Sequence, residues 1–422
     1  MFNILVVPSG TEIAHEIIRS LNNVKNINLF GVNSVDSYTE LLQKNVKYNI
    51  PYIDDEKFIS SIEKTVVEFG ITHIFPAHDS AAIKLTKFSN DLSAKVISSS
   101  YETNHICRSK ERTYNRLASC IKVPVIFDKK SKDLHFPLFA KPNIGQGSVG
   151  AKVIKSQSDL NFLSENDLLC ELLPGNEYTV DCITDGKGNL LYSQARLRCT
   201  MRNGIAIETK LVKDNSIFSS FASKINQNMF FSGAWFFQVK EDINGELCLL
   251  EVATRIAGSM MTSRFNGINF AELSLLISEN IPVSILDNKL DVKLYRNLSY
   301  QFYTNLEYQT IYTDFDDCLL LGDIINADLV KLLFDALNNQ KEIILITRHE
   351  GDLVNKLKEL RLTHIFDEVI HIKNGECKSK FIKNSKSIFI DDSFSERKDV
   401  YEALGIPCFS VDMIHGLTCL KN

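Results

Sequence analysis

The chain has 422 residues, of which 44% are hydrophobic and 23% are charged, with a formal net charge of −5. This length exceeds one ordinary hydrophobic core and predicts two or three globular domains. The weak negative charge gives no reason to expect binding to nucleic acid or to a membrane surface, and no apolar segment is long enough to span a bilayer. The absence of a basic leader and of a CxxC pair among 10 cysteines indicates reduced thiols and a cytoplasmic protein.

Residues 1–105 alternate short apolar runs with helical patterns. Strands are predicted over residues 4–7, 27–32 and 73–76, and helices over residues 12–21 and 59–69. This β–α alternation predicts a parallel sheet. The first strand–helix turn has the sequence SGT and lacks the GxGxxG fingerprint, which disfavours dinucleotide binding.

From residue 106 to residue 286 the pattern changes to paired strands. A helix is predicted over residues 109–117 and another over residues 269–279. Strands are predicted over residues 168–171, 177–183, 190–198, 235–240 and 246–253. Turn residues separate these strands, which is typical of antiparallel hairpins.

The most informative segment is FAKPNIGQGSVG, residues 139–150. Lys141 ends an apolar run, and a glycine- and serine-rich loop leads into a second apolar run over residues 151–154. A backbone that wraps around phosphate oxygens needs glycines and free N–H groups. The loop lies between two predicted strands, and the Walker pattern is absent, so a phosphate-binding hairpin of a different design is indicated.

Activation of a carboxylate by ATP needs cations for the phosphates, a loop over them, a hinge for adenine and ribose, and oxygen ligands for Mg²⁺. The sequence offers candidates for each requirement: Lys110 and Lys141 as cations, Gly145, Gly147 and Ser148 in the loop, Glu171 and Leu173 in the hinge, Glu177 for ribose, Gln238 and Glu251 for the metal, and Arg255 for the transferring phosphoryl group. Gln238 and Glu251 lie on two strands joined by a short turn, so pairing brings their oxygens to one face.

Taken together and in this order, these motifs resemble the ATP-grasp superfamily, specifically its carbamoyl-phosphate-synthase-like carboxylate–amine ligases, over residues 1–285. The resemblance rests on SKE at 109–111, KP at 141–142 with the loop at 145–150, ELLPGNEYTVD at 171–181, RLR at 196–198, RNG at 202–204, Gln238, and LEVATR at 250–255. It implies an α/β architecture with a Rossmann-like pre-ATP-grasp domain at residues 1–105 and a two-lobed α+β ATP-grasp domain at residues 106–286.

The resemblance also implies roles for individual residues. Lys110 and Lys141 would contact ATP phosphates, and Glu177 would meet the ribose. The other implied assignments are Gln238 and Glu251 as Mg²⁺ ligands, and Arg196, Arg198 and Arg255 around the acyl phosphate, while Asp79 matches a Pro-x-x-Asp segment of the substrate-binding domain. Ala253 departs from the Glu-x-Asn-x-Arg pattern of many relatives, which removes an oxygen ligand for a second Mg²⁺.

Residues 287–308 are polar and predict an irregular linker, and residues 309–422 begin a new β–α alternation. Strands are predicted over residues 311–316, 343–347, 364–372, 387–391 and 408–411. Asp314 and Asp316 are separated by one residue, so both side chains can address a site at the carboxyl end of the first strand. One aspartate could attack phosphorus while the other transfers protons.

This last block resembles the haloacid-dehalogenase-like (HAD) phosphohydrolase superfamily over residues 310–415, with a Rossmann-like fold and a minimal cap. The resemblance implies that Asp314 is the nucleophile, Asp316 the general acid/base and Thr347 the phosphate-binding hydroxyl. It also implies Mg²⁺ binding by a set of acids, which comprises Asp314, Asp316, Asp391 and Asp392. Lys378 is the preferred lysine, with Lys380 as the alternative.

The sequence therefore predicts a bifunctional enzyme that uses ATP and Mg²⁺, with Mn²⁺ as an alternative ion. Its substrates would be a small-molecule carboxylate, an amine and a phosphomonoester, without nucleic acid or membrane partners, and a homo-oligomer is compatible with the chain. Other interpretations stay open: an ATP-grasp kinase with a stable phosphorylated product, or a nucleotide-binding module whose C-terminal domain is a docking scaffold.

Overall fold

The computed structural model describes residues 1–22, 24–35, 45–145, 147–297, 302–418 and 420–421, with only the backbone of residues 302, 303, 420 and 421. The chain divides into two compact units, Met1–Asn297 and Leu298–Asn422. Among the described residues, no helix has the length and apolar character needed to cross a membrane.

The first unit begins with a parallel sheet of strand order β3-β2-β1-β4-β5. Its elements are β1 (Phe2–Val7), α1 (Glu12–Leu21), β2 (Ile27–Val32), β3 (Val46–Lys47), α2 (Phe58–Phe69), β4 (His73–Pro76), α3 (Asp79–Lys87), β5 (Lys95–Val96) and α4 (Tyr101–Cys107). Helix α1 begins where Thr11 accepts a hydrogen bond from the Ala14 amide, 3.0 Å long. The predicted parallel alternation is present.

A small antiparallel sheet of order β6-β9-β7-β8 follows. It is formed after α5 (Lys110–Leu117) by β6 (Ile126–Phe127), β7 (Leu138–Pro142), β8 (Lys152–Ile154) and β9 (Asp167–Glu171). The glycine-rich segment connects β7 to β8, which pair from Leu138 with Ile154 to Ala140 with Lys152. The loop thus lies between two strands, as its flanking apolar runs predict. We call residues 143–151 the phosphate loop.

The largest sheet is antiparallel, with strand order β14-β13-β10-β11-β12-β15. Its strands and accompanying helices are β10 (Glu177–Thr184), β11 (Leu190–Arg202), β12 (Ile205–Leu211), α6 (Ser216–Asn228), β13 (Gly233–Glu241), β14 (Leu247–Ala253), α7 (Met261–Phe265), α8 (Phe270–Ser278) and β15 (Lys293–Tyr295). Strand β15 lies in the segment expected to be an irregular linker. It is ordered because residues 293–295 pair with residues 208–210 of β12.

One hydrophobic core links the parallel sheet to the largest sheet. Ile4, Val6 and Ile17 pack in the same buried cluster as Phe236 of β13 and Phe270 of α8. Burial of such apolar surface is the main driving force for association of these layers. The shared core explains why residues 1–105 and 106–286, which the sequence divides into two domains, lie in one compact unit.

The second unit contains a parallel sheet of order β21-β20-β17-β22-β23. Its elements are β16 (Phe302–Tyr303), β17 (Thr310–Thr313), β18 (Leu320–Leu321), β19 (Ile324–Ile325), α9 (Ala327–Asn338), β20 (Glu342–Thr347), α10 (Leu353–Glu359), β21 (Glu368–His371), β22 (Ser387–Ile390), α11 (Phe394–Leu404), β23 (Cys408–Phe409), α12 (Ile414–Thr418) and β24 (Leu420–Lys421). The short β18–β19 hairpin is the one insertion between β17 and α9.

The strand predicted over residues 364–372 is observed only as Glu368–His371. Ile365, which belongs to the predicted range, is buried in the core from a bend rather than from a strand. The strand predicted over residues 408–411 likewise ends at Phe409, and a short 3₁₀ helix begins at Val411. In both places an apolar run continues beyond the hydrogen-bonded ladder.

Candidate functional sites

A cleft of about 400 Å³ lies within the first unit, between the two antiparallel sheets and the N-terminal part of the chain. Every ligase-site residue predicted from the sequence contributes to its lining: Lys110, Lys141, Gly145, Gly147, Ser148, Glu171, Leu173, Glu177, Arg196, Arg198, Gln238, Glu251 and Arg255. Residues more than 140 positions apart in the sequence therefore meet around one cavity.

Asn143 brings the two predicted phosphate-binding lysines together. Its side-chain Oδ1 accepts hydrogen bonds from the Ser109 hydroxyl (2.9 Å) and the Glu111 amide (3.0 Å). Its carbonyl oxygen accepts from the Lys110 amide at 3.1 Å. These bonds fix the first turn of α5 beside the end of β7, where Lys141 lies.

Lys141 is buried, and its Nζ donates a 2.7 Å hydrogen bond to the Tyr114 hydroxyl, which in turn donates to the Leu250 carbonyl at 2.6 Å. Burial lowers the pKa of Lys141, and the nearby Lys110 lowers it further, while Glu251 opposes the change. Burial also lowers the pKa of Lys110. Two desolvated ammonium groups at one place form a favourable site for an anion, which would restore their charged forms.

The largest sheet presents a polar row to the cleft. Gln238 pairs with Glu251 on one side and with Thr179 on the other, and Thr179 pairs with Arg196. Directly opposed residues share a face of the sheet, so the Gln238 amide and the Glu251 carboxylate lie side by side. The expected pairing is present, and these oxygens suit a hard cation such as Mg²⁺. Ala253, opposite Phe236, adds no oxygen.

Each of the three predicted arginines has a carboxylate partner. Arg196 is buried and binds Asp181 through two hydrogen bonds, Nε to Oδ2 at 2.8 Å and Nη2 to Oδ1 at 3.0 Å. Arg255 binds Asp79 in the same bidentate way, at 2.7 and 3.0 Å. Such forked pairs hold a guanidinium in a fixed orientation.

The third arginine, Arg198, has its Nε 3.1 Å from Glu177 Oε1. Glu177 is also 3.9 Å from Lys240 Nζ. The carboxylate expected to meet a ribose is therefore surrounded by two cations in this structure.

The hinge residues follow β9. The Glu171 side chain accepts a 3.0 Å hydrogen bond from the Val125 amide, which braces the hinge. Leu173 is buried. The apolar residues of the cleft lining include Pro124, Phe139, Cys170, Leu172, Leu173 and Leu250.

Sequence reasoning did not select Tyr114, Asn143 or Asp181 as site residues. A signal existed for Tyr114, because it follows Lys110 by four residues and so shares its face of α5. Asp181 was visible only as part of a motif. Its bond to Arg196 depends on the register of β10 and β11, which pairs Asp181 with Gln194.

A second cleft lies within the second unit, at the carboxyl edge of its parallel sheet. It is lined by Asp314, Asp316, Thr347, Lys378, Asp391 and Asp392, the HAD-site residues that the sequence predicts. Lys378 Nζ lies 2.6 Å from Asp391 Oδ2 and 3.1 Å from Asp314 Oδ1. Lys380 is exposed and pairs with Glu376 instead. The structure thus favours Lys378 over Lys380.

Two of the acids in this cleft, Asp391 and Asp314, form ion pairs with Lys378. Burial raises the pKa of Asp391 to about 6, with Lys378 opposing and Asp314 adding to the rise. Burial likewise raises the pKa of Asp314. Asp316 has a different partner: His349 Nδ1 lies 2.9 Å from its Oδ2, a contact that the sequence did not reveal.

The donor set of this cleft fits a divalent cation. Within the described ranges, one group of at least three metal-binding side chains has atoms within 4.8 Å of one another, and it consists of Asp314, Cys318 and Asp392. The two carboxylates are the ligands that Mg²⁺ prefers. Cys318 is buried, and burial raises the pKa of its thiol, so it favours the neutral form and contributes little to a hard cation.

The glycine-rich hairpin, the two lysines beside it and the Gln238–Glu251 pair lie around one cleft of the first unit. Residues 164–295 match the family described as ATP-grasp in the biosynthetic pathway with Ter operon. None of the curated proteins compared with the chain matches it. The family match ends before the second unit begins.

The fold is similar to solved structures at low sequence identity. The biotin carboxylase domain of Hydrogenobacter thermophilus 2-oxoglutarate carboxylase, solved with MgADP, ADP and bicarbonate, is 16% identical over 69% of this chain and 72% of that chain, with a TM-score of 0.58. Campylobacter jejuni biotin carboxylase is 17% identical over 69% and 73%, with a TM-score of 0.55. Staphylococcus aureus N5-carboxyaminoimidazole synthetase is 16% identical over 68% and 78%, with a TM-score of 0.54.

Proposed function

We propose that the first unit is an ATP-dependent carboxylate–amine ligase. The observation that carries this proposal is the convergence of Lys110, Lys141, Gln238 and Glu251 on one cleft beside the phosphate loop. The match to an ATP-grasp family over residues 164–295 supports nucleotide use. Two of the similar structures contain MgADP and beta-gamma-ATP, in keeping with this assignment.

The reaction would proceed in two balanced steps. A carboxylate oxygen of the substrate attacks the γ-phosphorus of ATP, the bond to the bridging oxygen breaks, and ADP leaves. An amine then attacks the acyl carbon, phosphate leaves, and the amine loses a proton as the amide forms. When bound at Gln238 and Glu251, Mg²⁺ would neutralise charge on the phosphates.

The side chains of this chain would orient these groups. Lys110 and Lys141 bind phosphate oxygens, while Glu177 accepts from ribose hydroxyls. Arg255, which is held by Asp79, would stabilise the transferring phosphoryl group. Arg196 has two of its donors directed to Asp181, so we assign it to shaping the acyl-phosphate end of the cleft.

An ADP-release assay over a panel of small acids and amines tests this proposal. We expect acid- and amine-dependent ADP release in the wild type, with a loss of about 100-fold or more in Lys141→Met and Glu251→Gln. Lys152→Met, a change on the solvent-exposed side of β8, is the control. Undiminished turnover in both site variants would refute the assignment, and a stable phosphorylated product detected by mass spectrometry would indicate a kinase instead.

We further propose that the second unit hydrolyses a phosphomonoester. The supporting observation is that Lys378 bridges Asp391 and Asp314 at the end of adjacent parallel strands, with Thr347 in the same cleft. Asp314 would attack phosphorus and expel the alcohol, which Asp316 protonates. Water would then attack the aspartyl phosphate and release inorganic phosphate.

Phosphate release from a generic phosphomonoester in the presence of Mg²⁺ measures this activity. We expect Asp314→Asn and Lys378→Met to abolish it, whereas Lys380→Met keeps it, because Lys380 is exposed and pairs with Glu376 on the surface. Absence of activity in the wild type would indicate a binding domain. Equal losses in the two lysine variants would contradict the choice of Lys378.

A further inference from the structure

The turn at Asn203 and Gly204, between β11 and β12, lies against the phosphate loop. Both residues have left-handed backbone angles, with φ of 50° and 75°, which is typical of a tight two-residue hairpin turn. A Cβ atom added to Gly204 would lie 2.3 Å from the Gly147 carbonyl oxygen and 2.9 Å from the Ser148 Cβ. Only glycine permits this approach, so we call residues 203–204 the docking turn.

Arg198 connects the docking turn to the nucleotide end of the cleft. Its Nη2 donates a 2.8 Å hydrogen bond to the Gly204 carbonyl oxygen. Its Nε lies 3.1 Å from Glu177 Oε1, and its side chain is only 9% exposed. One nearly buried guanidinium therefore bonds both the turn that touches the phosphate loop and the carboxylate assigned to the ribose.

The N-terminal part of the loop has its own attachment. Arg108 Nη1 donates a 3.0 Å hydrogen bond to the Gly145 carbonyl oxygen. The loop is thus held at Gly145 from the α4–α5 junction and at Gly147 and Ser148 from the docking turn. A loop fixed at two points loses less conformational entropy when it binds a ligand.

We propose that the docking turn holds the phosphate loop in its phosphate-binding position, with Gly204 and Arg198 as positioning residues. This inference rests on the ATP-dependent activity proposed above. Neither residue needs to contact the γ-phosphate for this role. Removing the docking should release the loop and weaken nucleotide binding while leaving the lysines and the metal ligands in place.

Gly204→Ala tests the proposal, with Gly188→Ala as the matched control. Gly188 lies in the β10–β11 turn of the same sheet and has a φ of 87°, but a Cβ there meets no atom within 4 Å. Both variants carry the cost of a left-handed alanine, and only Gly204→Ala also forces the turn away from the loop. The difference between the two variants therefore measures the effect of the contact between Gly204 and the phosphate loop.

Hydrogen–deuterium exchange of residues 143–151 is measured without nucleotide, and KM and kcat are measured with ATP. We expect faster exchange in Gly204→Ala than in Gly188→Ala and a KM for ATP raised about 10- to 100-fold, with a much smaller change in kcat. Equal exchange and equal KM in the two variants would overturn the proposal.

Arg198→Met provides a second measurement if Gly204→Ala does not fold. It removes the hydrogen bond to Gly204 without altering the backbone of the turn, and we expect faster exchange of residues 143–151 here too. Unchanged exchange would overturn the role of Arg198. A wild type that neither binds ATP nor releases ADP would refute the proposed function instead, while the exchange data would still decide whether the turn holds the loop.

Discussion

At the scale of single residues, the cleft of the first unit depends on side chains that fix other side chains. Lys141 is held by Tyr114, Arg196 by Asp181 and Arg255 by Asp79. Flexible cations would lose entropy on binding a phosphate or an acyl phosphate. Cations already oriented by a neighbour avoid most of that loss.

Tyr114→Phe should weaken both stability and nucleotide binding. The change leaves the buried Lys141 ammonium and the Leu250 carbonyl without the hydroxyl that bonds them, which costs about 1–3 kcal/mol of the free energy of unfolding. Chemical unfolding followed by the fluorescence of Trp235, the chain's single tryptophan and a buried residue, measures that loss. The KM for ATP should rise in parallel, because Lys141 is no longer fixed.

Tyr192→Phe is the matched control for this prediction. The Tyr192 hydroxyl is buried and, within the described part of the chain, has no hydrogen-bond partner. Its removal breaks no hydrogen bond and should not lower the free energy of unfolding. Equal losses in the two variants would contradict the role assigned to the Tyr114 hydroxyl.

The sequence predicted which types of residue form the site, but it did not predict most of the contacts between them. Glycines, a lysine at a strand end and acids on paired strands have a chemical meaning that can be read from their order in the chain. The bond between Arg255 and Asp79 spans 176 positions, and only packing of the parallel sheet against the largest sheet brings the two together. Similarly, the sequence left Lys380 as an alternative to Lys378, and only the fold shows that the 3₁₀ helix over Lys378–Lys380 buries the first of them.

At the scale of elements, strand pairs joined by short turns were predictable because such strands are usually neighbours. The β13–β14 pair, with Gln238 beside Glu251, is an example. The pairing of β12 with β15 was not predictable, since about 80 residues separate the strands and β15 is short and polar. Contacts between helices that are far apart in the sequence were also not predictable, and the contact between α1 and α7 is an example.

The ion pair between Glu16 of α1 and Arg264 of α7 gives a pH prediction. Glu16 is buried, and its Oε1 lies 3.0 Å from Arg264 Nε. Burial raises the pKa of Glu16 above its ordinary value of 4.5, although Arg264 and Ser20 oppose the rise. A carboxyl with a raised pKa binds its proton more tightly in the folded state, so its stabilising effect is present at low pH and is lost as the pH rises through the folded pKa.

We therefore expect the free energy of unfolding of the wild type, relative to Glu16→Gln, to fall as the pH rises from about 4.5 towards neutrality. Unfolding in urea at a series of pH values, followed by Trp235 fluorescence, measures the difference. Glu68→Gln, which changes a surface carboxylate, is the control. A difference that grows with pH would mean that attraction to Arg264 outweighs the cost of burying the carboxylate.

At the scale of the whole molecule, each unit has hydrophobic cores of its own. The first contains the cluster around Ile4, Ile17 and Phe270, and the second contains the cluster around Ile311, Leu345 and Ile388. Composition and length predict more than one domain, and the return of a β–α alternation after residue 308 predicts a domain in the C-terminal part of the chain. The boundary itself, at Asn297 and Leu298, falls within the predicted linker.

Because each unit buries its own core, residues 1–297 and residues 298–422 should fold when they are produced separately. The shorter fragment should unfold cooperatively in a calorimeter, with an enthalpy of about 90 kcal/mol near 60 °C for a domain of about 125 residues.

The two activities should separate with the two fragments. ADP release should remain with the longer fragment and phosphate-ester hydrolysis with the shorter one, each within about twofold of the intact chain. The reason is that every predicted site residue of a given cleft comes from one unit. A fragment that folds but loses its activity would mean that the other unit supplies part of its site, and a fragment that unfolds without a cooperative transition would contradict the independence of the cores.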